Sequence, residues 1–490
     1  MSSINTNIGA IAAQANMTRV NEDLNTAMTR LSTGLRINAA KDDAAGMAIG
    51  EKMTAQIMGL NQAVRNATDG KNLIDTTESA HVEVSNMMQR LRELAVQSSN
   101  DTNTSADRGN IVAESRQLIA EINRVSETTT FNGMKVMDGS FSGKQFQIGA
   151  DANITVSINV DSTRATDIGA FTLRSDVNVA DGASGIAGGT NIVISGHAGS
   201  AEFEQTAEMS ARQLAAAINN VSSQTGVSAN AQTVAKLSNL DSAGQLSFEL
   251  NGYDVGPVAI SDASDLRSLR DAINAETTRT GVTAAMGSDN SEIILTDTTG
   301  KNIVFSNFSS DDGAGGDLTI DVDVLNADGT AATTTFTTSE SLTDGDTATV
   351  TGQVTLSSTQ VFSVHTADDT VDEAFFQESN SAGKLEQLAE IDLSTAEGAG
   401  KAINVIDMAL AKVSQARSDL GAVSNRLDST ISNLTNITTS VESARSQVMD
   451  ADFAAESTNL ARGQILTQAA TAMLAQANAS QQNVMSLLRG

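Results

Sequence analysis

The chain has no cysteine and no tryptophan, and its 490 residues include one tyrosine (Tyr253), one proline (Pro257) and three histidines (His81, His197, His365). Each shortage excludes something. Without cysteine there is no disulfide framework, no thiolate metal site and no cysteine nucleophile. Three scattered histidines do not make a His-rich metal centre. With aromatics at 3% of residues, no large aromatic core can be built. Proline breaks helices, and ordinary usage is about 5%, so a single proline points to long uninterrupted elements. Basic charge is also short: 30 Lys+Arg stand against 59 Asp+Glu, a net charge of −29. Such a chain is repelled by nucleic acid and by anionic membranes, so neither is expected as a partner. No run of about 18 apolar residues is present, so no bilayer-spanning helix is expected. The stretch Met1–Ala10 has neither the basic nor the apolar region of a secretory signal. Export, if it occurs, is expected by a route that cleaves no such signal. Length alone suggests about three domains.

The charge is unevenly placed. Residues 175–383 carry 29 acidic and 6 basic side chains, a net of −23, whereas the rest of the chain is nearly balanced at −6. The middle is rich in Gly, Thr, Ser and Asp; the ends are rich in Ala, Leu, Ile, Gln, Asn and Arg. Two kinds of structure are implied, and the outer kind is shared between both termini.

The ends read as helices with heptad-like stripes. Apolar side chains alternating at spacings of 3 and 4 form one helix face. Ile403, Ile406, Leu410, Val413, Leu420, Leu427, Ile431, Leu434, Val441 and Val448 follow that template, with Arg417, Ser424, Thr438 and Arg445 in the remaining places. At 1.5 Å per residue this predicts a helical rod of roughly 70 Å. The same spacing runs through Ala67, Ile74, His81, Met88 and Ala95, with Val84 and Leu91 beside them. It recurs through Ile111, Ser115, Leu118, Ile122 and Val125, and through Met17, Val20, Leu24, Ala27 and Leu31. Ile4, Ile8, Ile11 and Ala15 form an offset stripe, and Leu466, Ala470, Met473, Ala477, Ser480, Val484 and Leu487 form one at the far end. A helical bundle accounts for the pattern in general. Chain ends ordinarily fray, so stripes at both extremes need each other or other copies of the chain. Ile4, Ile8, Ile11, Leu24, Leu31, Leu466, Met473 and Leu487 are therefore the expected subunit-packing residues.

The middle reads as strands. Asn132-Gly133 and Asp138-Gly139 are hairpin signals, and Ile154, Val156, Ile158 and Val160 alternate as in a half-buried strand. A β-hairpin region is expected at about 130–175. An internal repeat follows: 214–229 and 269–284 share eight of sixteen residues at a spacing of 55. Each copy predicts a short amphipathic helix, a stop at Gly226 or Gly281 with φ > 0, then strands. Strands are expected at 246–250 and 292–296, and a further β region at 317–366, where Ile320, Val322 and Val324 alternate with Asp321 and Asp323.

Few residues suggest chemistry. Asp311–Asp317 is acidic and glycine-rich but lacks the spacing of a calcium-binding helix–loop–helix, so an acidic surface loop is the better reading. His81 lies on an apolar stripe and is expected to be a buried, hydrogen-bonded helix residue. His197 falls in a loop and His365 near a strand end. No His-Glu-x-x-His, phosphate-binding glycine loop or Gly-x-Ser-x-Gly is present. Catalysis, metals and cofactors are not expected. Gly46 and Gly50 sit in too polar a segment for a membrane motif, so close helix packing is the expected reason for them.

The segment Leu31-Ser-Thr-Gly-Leu-Arg-Ile-Asn-Ala-Ala-Lys-Asp-Asp-Ala-Ala-Gly-Met-Ala-Ile49 resembles the signature of the bacterial flagellin family. So do 92–98, 131–133, 402–407, Asp450–Ser457 and Val484–Arg489. The resemblance covers about 1–175 and 384–490. More weakly, the 55-residue repeat is similar to a motif of flagellin and hook-associated inserts. The resemblance implies an α+β fold: a long helical, coiled-coil-like rod built from both termini, with a β-hairpin region, plus a strand-rich acidic insert. The expected domains are a terminal layer (1–40 and 455–490), an outer tube (41–176 and 384–454) and a surface insert (177–383) of one or two subdomains. The implied function is a secreted filament subunit for motility, exported unfolded through the flagellar type III apparatus. Implied partners are further copies of the chain, cap and junction proteins, an export chaperone holding about 450–490, and toll-like receptor 5. By motif, Arg90, Leu94 and Glu114 would be receptor contacts or filament-packing residues. The alternatives are a hook–filament junction protein and a subunit whose insert is an adhesin.

Overall fold

In the computed structural model the described residues are 6–182, 186, 188–287, 289–311, 318–332, 338–366, 375–376 and 380–489. The chain divides into two compact units. One comprises 1–76, 143–159 and 420–490; the other comprises 77–142 and 160–419.

Helices α1 (Ile8–Thr33), α2 (Ala44–Ser98) and α3 (Ser105–Thr128) come from the N-terminal part. The middle contributes α4 (Ala211–Asn220), α5 (Ser222–Thr225), α6 (Arg267–Ala275) and α7 (Thr277–Thr280), and the C-terminal part contributes α8 (Ala396–Met449) and α9 (Phe453–Arg489). The described strands of the middle pair antiparallel, so the expected α+β organisation is present.

The predicted stripes are the packed faces of α2, α3 and α8. On α8 all fourteen positions are buried or half-buried, with Ile406, Val413, Leu420, Leu427 and Leu434 fully covered. The polar members serve different ends. Arg417 pairs with Glu78 at 2.8 Å, Arg445 reaches the Thr54 hydroxyl at 3.5 Å, and Thr438 donates to the carbonyl of Leu434 in its own helix. On α2, Ala67, Ile74, Val84, Met88, Leu91 and Ala95 are all buried. A reciprocal cap opens α3: the Thr104 hydroxyl accepts from the Asp107 N–H while Asp107 accepts from the Thr104 N–H.

Asn132 and Gly133 have φ of 49° and 78°, the two-residue turn that the Asn-Gly signal predicts. It joins Thr130–Phe131 to Met134–Lys135. A second hairpin pairs Lys144–Gln147 with Thr155–Ile158. There Val156 and Ile158 are buried, as is Val160 beyond them, whereas Ile154 at the strand entrance is 47% exposed, against expectation.

The insert builds two hydrophobic cores. One gathers Leu269 and Ile273 of α6 with Leu246, Phe248, Phe305 and Val322; the other gathers Leu214 and Ile218 of α4 with Ile194, Val354, Leu356 and Phe362. The strand Val227–Ser238 serves both, giving Ala235 and Leu237 to the first and Val227 and Ala231 to the second. The repeat is explained atom by atom. Asn219 accepts from the Ala229 N–H and donates to its carbonyl, both at 2.8 Å, and Asn274 does the same to Ala284. Gly226 and Gly281 take φ of 74° and 78° at the helix ends, and the hydroxyls of Thr225 and Thr280 accept from the N–H groups of Val227 and Val282. The shared residues are therefore those that turn a helix back onto its own strand. The strand Gln353–Ser358 pairs with Gly169–Arg174, which pairs with Lys384–Gln387, so this sheet continues past both expected edges of the insert at 177 and 383. The Asp311–Asp317 loop lies almost wholly outside the described residues.

His81 is fully buried, but neither ring nitrogen has a hydrogen-bond partner among the described residues. That corrects the expectation of a bonded histidine. Thr77 and Ser85 are buried one helical turn to either side of it on α2, yet neither ring nitrogen is bonded. Burial pushes its pKa down to about 4; Glu78 and Asp161 favour the charge and Arg417 opposes it, all more weakly than burial. Because the folded value is depressed, the unfolded chain binds the extra proton, and stability is lost as pH falls from about 6.5 towards 4. At 1.36 kcal/mol per unit the wild type should lose about 3 kcal/mol, relative to His81→Leu, between pH 7 and pH 4. Urea unfolding of both proteins at the two pH values checks this, and parallel pH profiles would contradict it.

Candidate assembly site

The terminal helices pair with each other. Leu24 lies 3.4 Å from where a Cβ on Gly463 would stand, so α1 and α9 meet through a small residue. Arg30 pairs with Glu456 at 2.8 Å, with the Glu456 carboxylate only 10% exposed. Near the other end, Asn7 caps α1 by accepting from the Ala10 N–H and donates to the Ala477 carbonyl of α9.

The α1 face is as predicted: Ala27 is buried and Met17, Val20, Leu24 and Leu31 are half-buried. The α9 face is not. Its covered positions are Gly463, Thr467, Ala470, Leu474 and Ala477, while Leu466 is 45% exposed, Met473 65%, and Ser480 also exposed. Among the described side chains of the predicted stripe, only Ala470 and Ala477 face the seam. A helix pair that approaches through Gly and Ala covers a narrow strip, and the bulkier side chains fall to either side of it. Ile465 at 67%, Phe453 at 71% and Met28 at 51% exposure extend the open apolar surface. On α1 the offset stripe is likewise open, with Ile8 at 67% and Ile11 at 57%. Ile4 lies outside the described residues, as do the side chains of Val484 and Leu487.

The densest sequence motifs lie where these helices join the longer ones. Gly34 ends α1 with φ of 73°. The Ala451 N–H donates to its carbonyl at 2.9 Å, the Arg36 N–H donates to Met449 at 2.6 Å, and the Arg36 guanidinium reaches the Val448 carbonyl. The strands leaving α1 and α8 are thus tied backbone to backbone. Asp42 accepts from the N–H groups of Asn38 and Ala39, bonds that hold its carboxyl below the usual range. Asp43 caps the Gly46 N–H, and a Cβ on Gly46 would stand 2.6 Å from the buried Ile37. A Cβ on Gly50 would overlap the Met449 thioether. Asp452 caps the first turn of α9 through Ala454 and Ala455. The motifs at 31–49 and 450–457 are two sides of one joint. In the other unit, 92–98 and 402–407 meet through Arg92–Asp407 at 2.6 Å.

Arg90 bonds Glu114 at 2.9 Å and Glu93 at 2.8 Å on the exposed side of α2 and α3. Leu94 is not part of that surface. It is 1% exposed, so the three residues expected to act together divide into a surface ion pair and a core residue. Four residues beyond Arg90 on a stripe that includes Leu91 and Ala95, its burial was legible from spacing. Among the described residues no group of three or more His, Cys, Asp or Glu side chains could hold a metal ion, and no helix is long and apolar enough to cross a membrane.

Paired terminal helices with uncovered apolar flanks fit a structural subunit of an assembly. The comparisons specify which. Residues 4–142 match the bacterial flagellin N-terminal helical region, 403–488 the C-terminal helical region, and 191–240 and 247–299 the flagellin hook IN motif. The chain is 39% identical to the B-type flagellin of Pseudomonas aeruginosa and 35% identical to a flagellin of Salmonella typhimurium, each alignment covering 99% of both chains. A solved structure of FliC from Burkholderia pseudomallei is 20% identical over 73% of this chain and 99% of that one, with a TM-score of 0.30. The chain belongs to the bacterial flagellin family and is a structural subunit of the flagellar filament. Full-length similarity to flagellins decides against the junction-protein alternative.

The joint yields a contrast between two glycines. Gly50→Val should destabilise the unit that holds it by about 1–3 kcal/mol through overpacking. Gly421→Ala, at a helical site with nothing within 4 Å of a new Cβ, should stabilise by up to about 1 kcal/mol. Thermal unfolding followed by helix circular dichroism tests the opposite signs; equal effects would contradict the close-approach account.

Proposed function

We propose that the uncovered apolar flanks of α1 and α9 are the surfaces through which subunits polymerise. Ile8, Ile11, Leu466 and Met473 act between copies, while Leu24 and Leu31 act within the α1–α9 pair; Ile4 and Leu487 extend the same stripes. The observation that carries this is the exposure of large apolar side chains along both terminal helices, Ile8 and Ile11 on one and Ile465, Leu466 and Met473 on the other. Contacts between unlike faces do not close on themselves, and repetition along a lattice then gives a filament.

The domain roles follow from this reading. Segments 1–40 and 455–490 form the inner layer, 41–176 and 384–454 the outer tube, and 177–383 the outward insert, whose charge of −23 keeps filaments apart. The chain reaches the cell exterior unfolded, through the flagellar type III apparatus, and works there in motility without enzymatic activity. Its proposed partners are other copies, cap and junction proteins, and an export chaperone that covers about 450–490 before assembly.

Burying an isoleucine is worth about 1.5–3 kcal/mol, and 1.4 kcal/mol is a factor of ten in association. Ile11→Asp should therefore raise the critical concentration for seeded polymerisation more than tenfold while the helix content of the monomer stays unchanged. Polymerisation at the wild-type concentration would sink the assignment.

Arg90 and Glu114 are proposed as surface contacts for toll-like receptor 5, with Leu94 supporting them from beneath. Monomeric Arg90→Ala should activate receptor-bearing reporter cells several-fold more weakly than wild type; an unchanged dose response would assign the pair to subunit packing alone.

A further inference from the structure

The second unit holds a cavity of about 970 Å³ lined in part by Asp161, Ser195, His197, Lys412, Gln415 and Asp419. Lys412 differs from the other buried or paired lysines. Lys71, Lys236 and Lys401 each have a carboxylate oxygen at 2.6, 3.0 and 3.2 Å respectively. Lys412 makes no ion pair within 4 Å among the described residues; its Nζ donates to the backbone carbonyl of Asp167 at 2.9 Å. A carbonyl accepts a hydrogen bond from a neutral amine as well as from an ammonium, so this bond does not demand the charge. Burial, the largest influence, pushes the Lys412 amine down, against weaker opposing fields from Asp161 and Asp167. The aliphatic stem is held by α8, and Lys412 is among the residues that line the cavity.

We propose that Lys412 is the preferred acyl-acceptor lysine of this chain, taking acyl groups from small activated carboxylates that enter the cavity. The Nζ lone pair attacks the carbonyl carbon and forms the C–N bond. The tetrahedral adduct expels the leaving group, which departs with the C–X electron pair, and the surplus Nζ proton passes to water in the open cavity. The product amide keeps one N–H, enough to retain the bond to the Asp167 carbonyl. The cation is lost, so the cavity is left with the carboxylates of Asp161 and Asp419 and no lysine charge.

Competitive acetylation tests this. The monomeric full-length chain is treated with a small, substoichiometric dose of acetyl N-hydroxysuccinimide ester across a pH series, and modification at each lysine is read by peptide mass spectrometry. The same lysines are read in the chain unfolded in guanidinium chloride. Lys412 should acetylate faster at pH 7 than the exposed Lys41 and Lys52, and the midpoint of its rate–pH curve should lie below its own midpoint in the unfolded chain. A Lys412 that labels no faster than Lys41 and Lys52, or not at all, or whose midpoint is unmoved by unfolding, overturns the proposal.

Discussion

A helix with two apolar flanks cannot satisfy both against a single partner, and that constraint organises the terminal helices. Between α1 and α9 the seam sets Met17, Val20, Leu24 and Ala27 against a face of α9 that includes Gly463, Ala470 and Ala477. Close approach strengthens the pair but narrows the surface it covers. Ile8, Ile11, Ile465, Leu466 and Met473 are left facing outward. The proposed cover for these residues is other copies of the chain in a filament, where the same surface recurs on each subunit. The joint below the pair serves the same end. Backbone bonds between 34–36 and 449–451, and glycines where Ile37 and Met449 press against α2, set where the terminal helices leave the longer ones.

The insert obeys a different rule. Its cores are built twice with the same device, in which an asparagine on a short helix pairs with both backbone groups of an alanine ten residues on. The buried residues of both cores lie in the insert, with Phe171 and Leu173 packing against the second from the strand just before it. On one of its strands Asp321 and Asp323 alternate with the buried Ile320, Val322 and Val324. Charge concentrated here leaves the near-neutral ends free to pack.

Much of this was legible in the residues. Spacing alone located the covered faces of α2, α3 and α8, because a long helix with one well-filled stripe has one way to bury it. The Asn-Gly turn at 132–133 and the positive φ at Gly226 and Gly281 were legible because their backbone geometry admits few residue types. Spacing failed on α9. Its apolar residues are abundant enough to support several phases, and the covered one runs through Gly463, Thr467, Ala470, Leu474 and Ala477, whose small or polar members hydrophobicity ranks low. Leu94 was misplaced for another reason: a motif carried over as a unit does not say which of its members face inward. The unbonded state of His81 needed three-dimensional neighbours that the sequence does not specify.

The central claim is that the outward flank of α9 is open in the monomer and covered in the filament. A chain without cysteine allows a direct reading. Met473→Cys places one thiol on that flank, and Glu202→Cys places one on an exposed insert strand. Maleimide labelling rates are measured for each in monomer and in filament. The account predicts that Cys replacing Met473 reacts freely in the monomer and is protected at least tenfold on assembly, while the thiol replacing Glu202 reacts alike in both. Equal labelling of the Met473 position in monomer and filament would contradict it.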